Sequence, residues 1–215
     1  MRIEGVIFDL DGTLVDTVED LGDSANAMLQ SHGFKTHSVS DYLKWIGNGA
    51  VKFIGHAIGR DIADDQLLAY VSEFKEIYER NLSNKSRLYE GIDSLLDELT
   101  SLGIKLAILS NKPHLLTKKV ASYYLSAWDF DPVFGQRDHV PRKPDPAAAT
   151  EIAGLLEIKA EHILFVGDSQ GDLKTAEAAG MVPVGVTWGY GKLESRNGNG
   201  HILLSHPQEL LKLLS

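Results

Sequence analysis

The chain has 215 residues, 43% hydrophobic and 24% charged, with 20 glycines and no cysteine. That composition excludes disordered, collagenous and disulfide-stapled classes, and the missing thiols remove cysteine nucleophiles, cysteine-bound zinc and iron–sulfur clusters while fitting a reducing compartment. The net charge is −9, from 21 Lys and Arg against 30 Asp and Glu, with no basic block, so neither nucleic acid nor an anionic membrane is an expected partner and any anionic ligand must meet positive charge locally.

The first apolar run, Ile3 to Phe8, is far shorter than a signal h-region, and no later run approaches a membrane span. The reading is a soluble cytoplasmic protein. From Val18 to Leu82 the sequence reads almost entirely as helix, broken at Gly33 and at Gly47-Asn48-Gly49. That is too long for a simple crossover, so a helical subdomain is expected after the first strand, with the chain returning near Glu90-Gly91. A helix follows over Ile92, Leu95, Leu96, Leu99 and Leu102, closed by Gly103. Further short apolar runs stand at Ile104–Leu109, Ile163–Val166, Val182–Val186 and Ile202–Leu204. Unbroken runs of this length predict strands covered on both faces. Asp145 is the expected cap of a helix with Pro146 at its first position, and another helix runs from Asp172 to Ala179 before Gly180. Asn197-Gly198-Asn199-Gly200 reads as a turn or flexible loop. Alternating strand and helix predict an α/β fold around a parallel sheet.

Ligands of such sheets bind beyond the carboxyl ends of the strands. There the sequence carries Asp9-Leu10-Asp11-Gly12-Thr13, then Ser110-Asn111-Lys112, then Gly167-Asp168-Ser169-Gln170-Gly171-Asp172, with Lys143 in the segment before Asp145. Converging carboxylates need positive charge among them, and a few hard oxygen ligands point to Mg²⁺. If the substrate is a phosphate monoester attacked by Asp9, two unit charges about 4 Å apart repel by roughly 4 kcal/mol at an effective dielectric near 20. Mg²⁺ held by Asp9 and Asp168, together with Lys143, would offset that repulsion. Ser110 would hold phosphate oxygens, and Asp11 would protonate the leaving alkoxide and then activate water. Asp168 could also serve as a helix N-cap. A calcium loop is excluded because Leu14 stands where such a loop needs glycine, and no histidines are paired at metal-ligand spacing. Dinucleotide and nucleoside-triphosphate loop motifs are missing.

These four segments, in this order, resemble the motifs of the haloacid dehalogenase (HAD) superfamily over essentially the whole chain. The resemblance implies a Rossmannoid three-layer core, residues 1–17 and 85–215, with a helical cap of the C1 type at 18–84. It implies an aspartyl-phosphate on Asp9, and Asp11 as general acid/base whose main-chain carbonyl joins Asp9 and Asp168 around Mg²⁺. Asp172 would orient Lys143 or a metal-bound water. Thr13, Asn111, Lys112 and, in the cap, Asn48 are the expected substrate contacts, with Lys52 a possible counter-ion.

Asp11 favours phosphoryl transfer within the superfamily, since dehalogenases lack that acid. Trp45-Ile46-Gly47-Asn48-Gly49, Ser110-Asn111-Lys112-Pro113 and Val186-Thr187-Trp188-Gly189-Tyr190-Gly191 resemble the phosphoglycolate phosphatase branch, which implies a small phosphorylated metabolite, 2-phosphoglycolate first. Trp188 and Tyr190 would either flank the site mouth or anchor their loop. Pyrophosphatase, sugar-phosphate or nucleotide phosphatase, and β-phosphoglucomutase-like transfer share the same core chemistry. A non-catalytic regulatory binder on the same fold is the reading of another class. The chain is expected as a monomer or homodimer, with Phe53, Ile54 and Ile58 able to face the core, another helix or a second copy.

Overall fold

A computed structural model describes residues 2–193 and 201–214; the turn expected at Asn197–Gly200 lies outside the described residues. The chain divides into two compact units, Met1–Val15 with Leu88–Ser215, and Asp16–Arg87.

The first unit is built on a six-stranded sheet. Its strands are β1 (Gly5–Phe8), β4 (Lys105–Pro113), β5 (Phe130–Gln136), β6 (Ile163–Gly167), β7 (Val182–Val186) and β8 (Ile202–Leu204). They lie in the order β5-β4-β1-β6-β7-β8, and every neighbouring pair is parallel. Parallel strands need crossover connections, supplied by α5 (Ile92–Ser101), α6 (His114–Tyr124), α7 (Ala147–Leu156) and α8 (Gln170–Ala178). Side chains alternate across a strand. Ile7, Ala107, Leu109, Ile163 and Phe165 therefore share one face, where they pack with Ala149, Ile152 and Leu156 of α7 and Ala176 of α8. Val6, Phe8, Leu106, Ile108, Leu164 and Val166 point the other way and are equally buried. Burial on both faces is why the strands read as unbroken apolar runs.

Several local expectations differ from the structure; α8, for one, starts at Gln170 rather than Asp172. β4 continues through Ser110, Asn111 and Lys112 to Pro113, so those residues lie within the strand rather than after it. β5 was not foreseen: its sequence contains Pro132 and Gly135, but it is an edge strand, where a missing N–H is tolerated. α7 starts one residue late, with Pro146 rather than Asp145 in the cap position; Asp145 lies just outside the helix and accepts the Ala147 N–H at 2.9 Å.

In the second unit the helices are α1 (Val18–Ser31), α2 (Val39–Tyr42), α3 (Ala50–Ile58) and α4 (Asp64–Asn81). Phe53 and Ile54 are buried in this unit's own interior, the Phe53 ring 5.5 Å from that of Phe74. Tyr42 lies across Gly22 of α1, where an added Cβ would come within 2.8 Å of its ring, and its hydroxyl donates to Asn26 at 2.6 Å. The buried Asp20 carboxylate accepts the Lys85 and Ser86 N–H groups, fastening the returning chain to α1. Short strands β2 (Val15–Asp16) and β3 (Arg87–Leu88) pair where the chain passes from one unit to the other.

Candidate active site

Register brings the acids together. Phe8 pairs with Ile108 on one side and Val166 on the other, so β1 and β6 end side by side at one sheet edge while β4 runs on past them. Asp9 follows directly, its N–H donating to the Val166 carbonyl at 2.9 Å, and Asp168 follows β6. Asp9, Asp168 and Asp172 are all buried and offer carboxylate oxygens within 4.8 Å of one another. The Lys143 ammonium stands among them, 3.0 Å from Asp9 Oδ1, 2.5 Å from Asp172 Oδ1 and 2.9 Å from the Leu109 carbonyl.

The electrostatics follow from that crowding. Burial pushes the Asp9 carboxyl up to about 7, against Lys143 and with the help of Asp172 and Asp168. Burial, then Asp172, lifts Asp168 to about 6, opposed by the N–H groups of Gly191 and Tyr190 and by Lys143. Burial pulls the Lys143 ammonium down, but Asp172 and Asp9 outweigh it and hold the group above the usual lysine range. With all three carboxylates ionised, the one ammonium would leave two negative charges buried together. That excess suits a divalent cation, and an all-oxygen donor set suits Mg²⁺ rather than a softer metal.

The remaining sequence-selected residues divide by position. Asp11 lies on a tight loop in which the N–H groups of Thr13, Leu14 and Val15 all turn toward the Leu10 carbonyl. Its carboxylate meets the buried Lys112 ammonium at 2.9 and 3.1 Å. Lys112, read from sequence as a phosphate contact, is thus paired with that acid. Asn111 grips the backbone of Lys143, its Oδ1 accepting the Lys143 N–H at 3.0 Å and its Nδ2 donating to the Lys143 carbonyl at 3.2 Å. Ser110 is buried beside this pair, and its hydroxyl accepts the Lys112 N–H at 3.3 Å. Thr13 is fully buried with its hydroxyl unpartnered, an orphan polar atom on the Asp9–Asp11 loop. Asn48 is exposed in the turn before α3, and Lys52 is exposed on that helix.

Asp168 does not cap α8. Ser169 does: its hydroxyl accepts the Asp172 N–H, and Asp172 Oδ2 in turn accepts the Ser169 N–H at 3.0 Å and its O–H at 2.5 Å. Ser-x-x-Asp before a helix was the available signal for this reciprocal cap. The sequence reading also missed the two backbone donors on Asp168, Tyr190 N–H at 2.6 Å and Gly191 N–H at 2.9 Å. Trp188 is an anchor, its indole N–H donating to the Thr13 carbonyl at 3.1 Å.

Comparison with known proteins agrees with this geometry. The sequence model of the haloacid dehalogenase-like hydrolases matches residues 3–180. A phosphoglycolate phosphatase of Mannheimia succiniciproducens is 35% identical over 207 residues, 93% of this chain and 90% of its own. One of Neisseria gonorrhoeae is 36% identical over 197 residues, 89% of this chain and 83% of its own. A crystal structure of a predicted phosphoglycolate phosphatase from Haemophilus somnus superposes with a TM-score of 0.88 at 28% identity, over 100% of this chain and 99% of that one. With the parallel sheet, the acids at its carboxyl edge and a match across most of its length, this chain belongs to the haloacid dehalogenase-like hydrolase family.

Proposed function

We propose that the protein is a Mg²⁺-dependent phosphatase that hydrolyses a small phosphate monoester, 2-phosphoglycolate first among them, through an aspartyl-phosphate on Asp9. The observation that carries this reading is the buried Asp9 within reach of Lys143, Asp168 and Asp172, next to a second acid, Asp11, on the same tight loop. The curated relatives named above support the substrate.

In this reading an Asp9 oxygen attacks phosphorus, and the bond from phosphorus to the ester oxygen breaks with its electron pair. That alkoxide takes a proton from Asp11. Asp11 then removes a proton from water, whose oxygen attacks the phosphorus of the acyl phosphate, releasing inorganic phosphate and restoring Asp9. Asp9 and Asp168, with the main-chain carbonyl of Asp11, would hold Mg²⁺. When bound, the ion supplies the positive charge that keeps both carboxylates ionised and offsets their repulsion of an incoming phosphate. Lys143 adds a fixed charge, Asp172 holds Lys143, and Ser110 and Thr13 offer hydroxyls to phosphate oxygens. The helical segment 18–84, within the unit Asp16–Arg87, is read as the cap that selects substrate, with Asn48 the first residue to test there.

The test is phosphate release from 2-phosphoglycolate, pyrophosphate, glucose 1-phosphate, a nucleoside monophosphate and an aryl phosphate, with Mg²⁺ and with EDTA. Preference for 2-phosphoglycolate that EDTA abolishes is expected, and Asp9→Asn should remove turnover on every substrate. Equal activity across the panel would overturn the substrate, and turnover by Asp9→Asn would overturn the mechanism.

A further inference from the structure

We infer that the loop Trp188–Gly191 is the positioning element for Asp168, fixing which carboxylate oxygen the metal site receives, with Trp188 as its anchor. The inference rests on the reading above that Asp168 holds a divalent cation. Two independent sets of contacts carry it.

The first is hydrogen bonding. Tyr190 N–H and Gly191 N–H converge on one oxygen, Asp168 Oδ2, at 2.6 and 2.9 Å. A carboxylate gripped twice on one oxygen is fixed in rotation and keeps the other oxygen, Oδ1, for a cation. The loop is tied in turn to the segment after the nucleophile, because the Trp188 indole donates to the Thr13 carbonyl at 3.1 Å. One loop thus touches both strand ends that carry the acids.

The second is close packing that only glycine allows. A Cβ on Gly189 would collide with the Gly12 carbonyl and the Asp168 side chain, and one on Gly191 would collide with the Asp168 carbonyl. From the other side, a Cβ on Gly12 would lie 2.5 Å from Asp168 Oδ2 and 2.8 Å from the Tyr190 ring, at a φ of +85° that already favours glycine. Gly12 and Gly189 leave their side-chain space to one carboxylate, and Gly191 leaves its own to the main chain that carries it. Nothing in the hydrolase chemistry requires glycine at 189 or 191, so the arrangement serves the position of Asp168.

Mg²⁺ binding to the full metal-free chain, measured by isothermal titration calorimetry, tests this directly on wild type, Asp168→Asn, Trp188→Phe and Gly189→Ala. Trp188→Phe keeps an aromatic ring and deletes the indole donor. Both loop variants are expected to weaken Mg²⁺ about tenfold or more, the usual cost of losing a partner that orients a ligand. The metal-free melting temperature of Trp188→Phe should stay near that of wild type, which separates positioning from scaffolding. Wild-type Mg²⁺ affinity in Trp188→Phe, with Asp168→Asn unable to bind, would overturn the inference and leave the metal reading standing. Wild type that binds no Mg²⁺, or Asp168→Asn that binds as wild type does, would overturn both. If Gly189→Ala does not fold, Trp188→Phe alone decides.

Discussion

Lys143 has three ammonium protons, and Asp9, Asp172 and the Leu109 carbonyl take one each. It therefore acts on a phosphate first as a fixed charge, and Asn111, clasping its backbone from both sides, keeps that charge in register. Removing the ammonium strands buried carboxylates without a counter-ion, a change that costs about 3–5 kcal/mol. Lys143→Met should lose stability of that order in urea denaturation of the metal-free protein at about pH 8, and turnover by about 10²–10³. Lys143→Arg should not restore activity, because a planar guanidinium cannot aim three donors at converging partners. The penalty must shrink in acid, where Asp9, raised to about 7, and Asp168, raised to about 6, carry protons and need no cation. An equal loss of stability in acid and base would show that the pairing is not its source.

The start of α8 joins fold and chemistry in one element. Asp172 closes the cap with Ser169 through Oδ2 and holds Lys143 through Oδ1, and a Cβ on the preceding Gly167 would strike its side chain. Ser169→Ala should cost about 1 kcal/mol as a lost helix cap and lower turnover modestly by loosening Asp172. Ser169→Thr, which keeps the hydroxyl, should recover both in urea midpoint and phosphate-release assays. What the sequence could show of this element was its helix and the glycine that ends it, since Gly180 has the positive φ of a helix terminator. The covered strands were legible for the same local reason: β1 and β6 are buried apolar runs with no competing signal, and in β7 three valines outweigh Pro183 and Gly185. β5 was hidden because proline and glycine argue against a strand unless its place at the sheet edge is known. Asp9 and Asp168 were legible as acids following strands. The pairing of Lys112 with Asp11, and of Asn111 with the Lys143 backbone, was not, because each joins residues remote in sequence that only the register of the sheet brings together.

Across the whole molecule, a chain of net charge −9 folds so that three carboxylates are buried around one lysine, which couples its stability to protons and metal together. Asp9 and Asp168 titrate higher in the fold than in an unfolded chain, where each lies at 3.8. The stability they contribute is therefore complete below about pH 4 and is lost as pH rises through about 6 and then 7. Metal-free protein should melt lower at about pH 8 than at about pH 5.5 on account of this pair. A divalent cation needs the same oxygens ionised, so protons compete with it. Mg²⁺ at about a hundred times its Kd adds roughly 2.7 kcal/mol to the fold, or about 5–10 °C in a chain of this size. That gain should appear at about pH 8 and fall away toward pH 5.5, where the two carboxylates hold protons instead. Calorimetric melting with Mg²⁺ and with EDTA at both pH values checks it. Asp168→Asn should flatten the difference, whereas a gain of equal size at both pH values would mean that the cation binds elsewhere on the molecule.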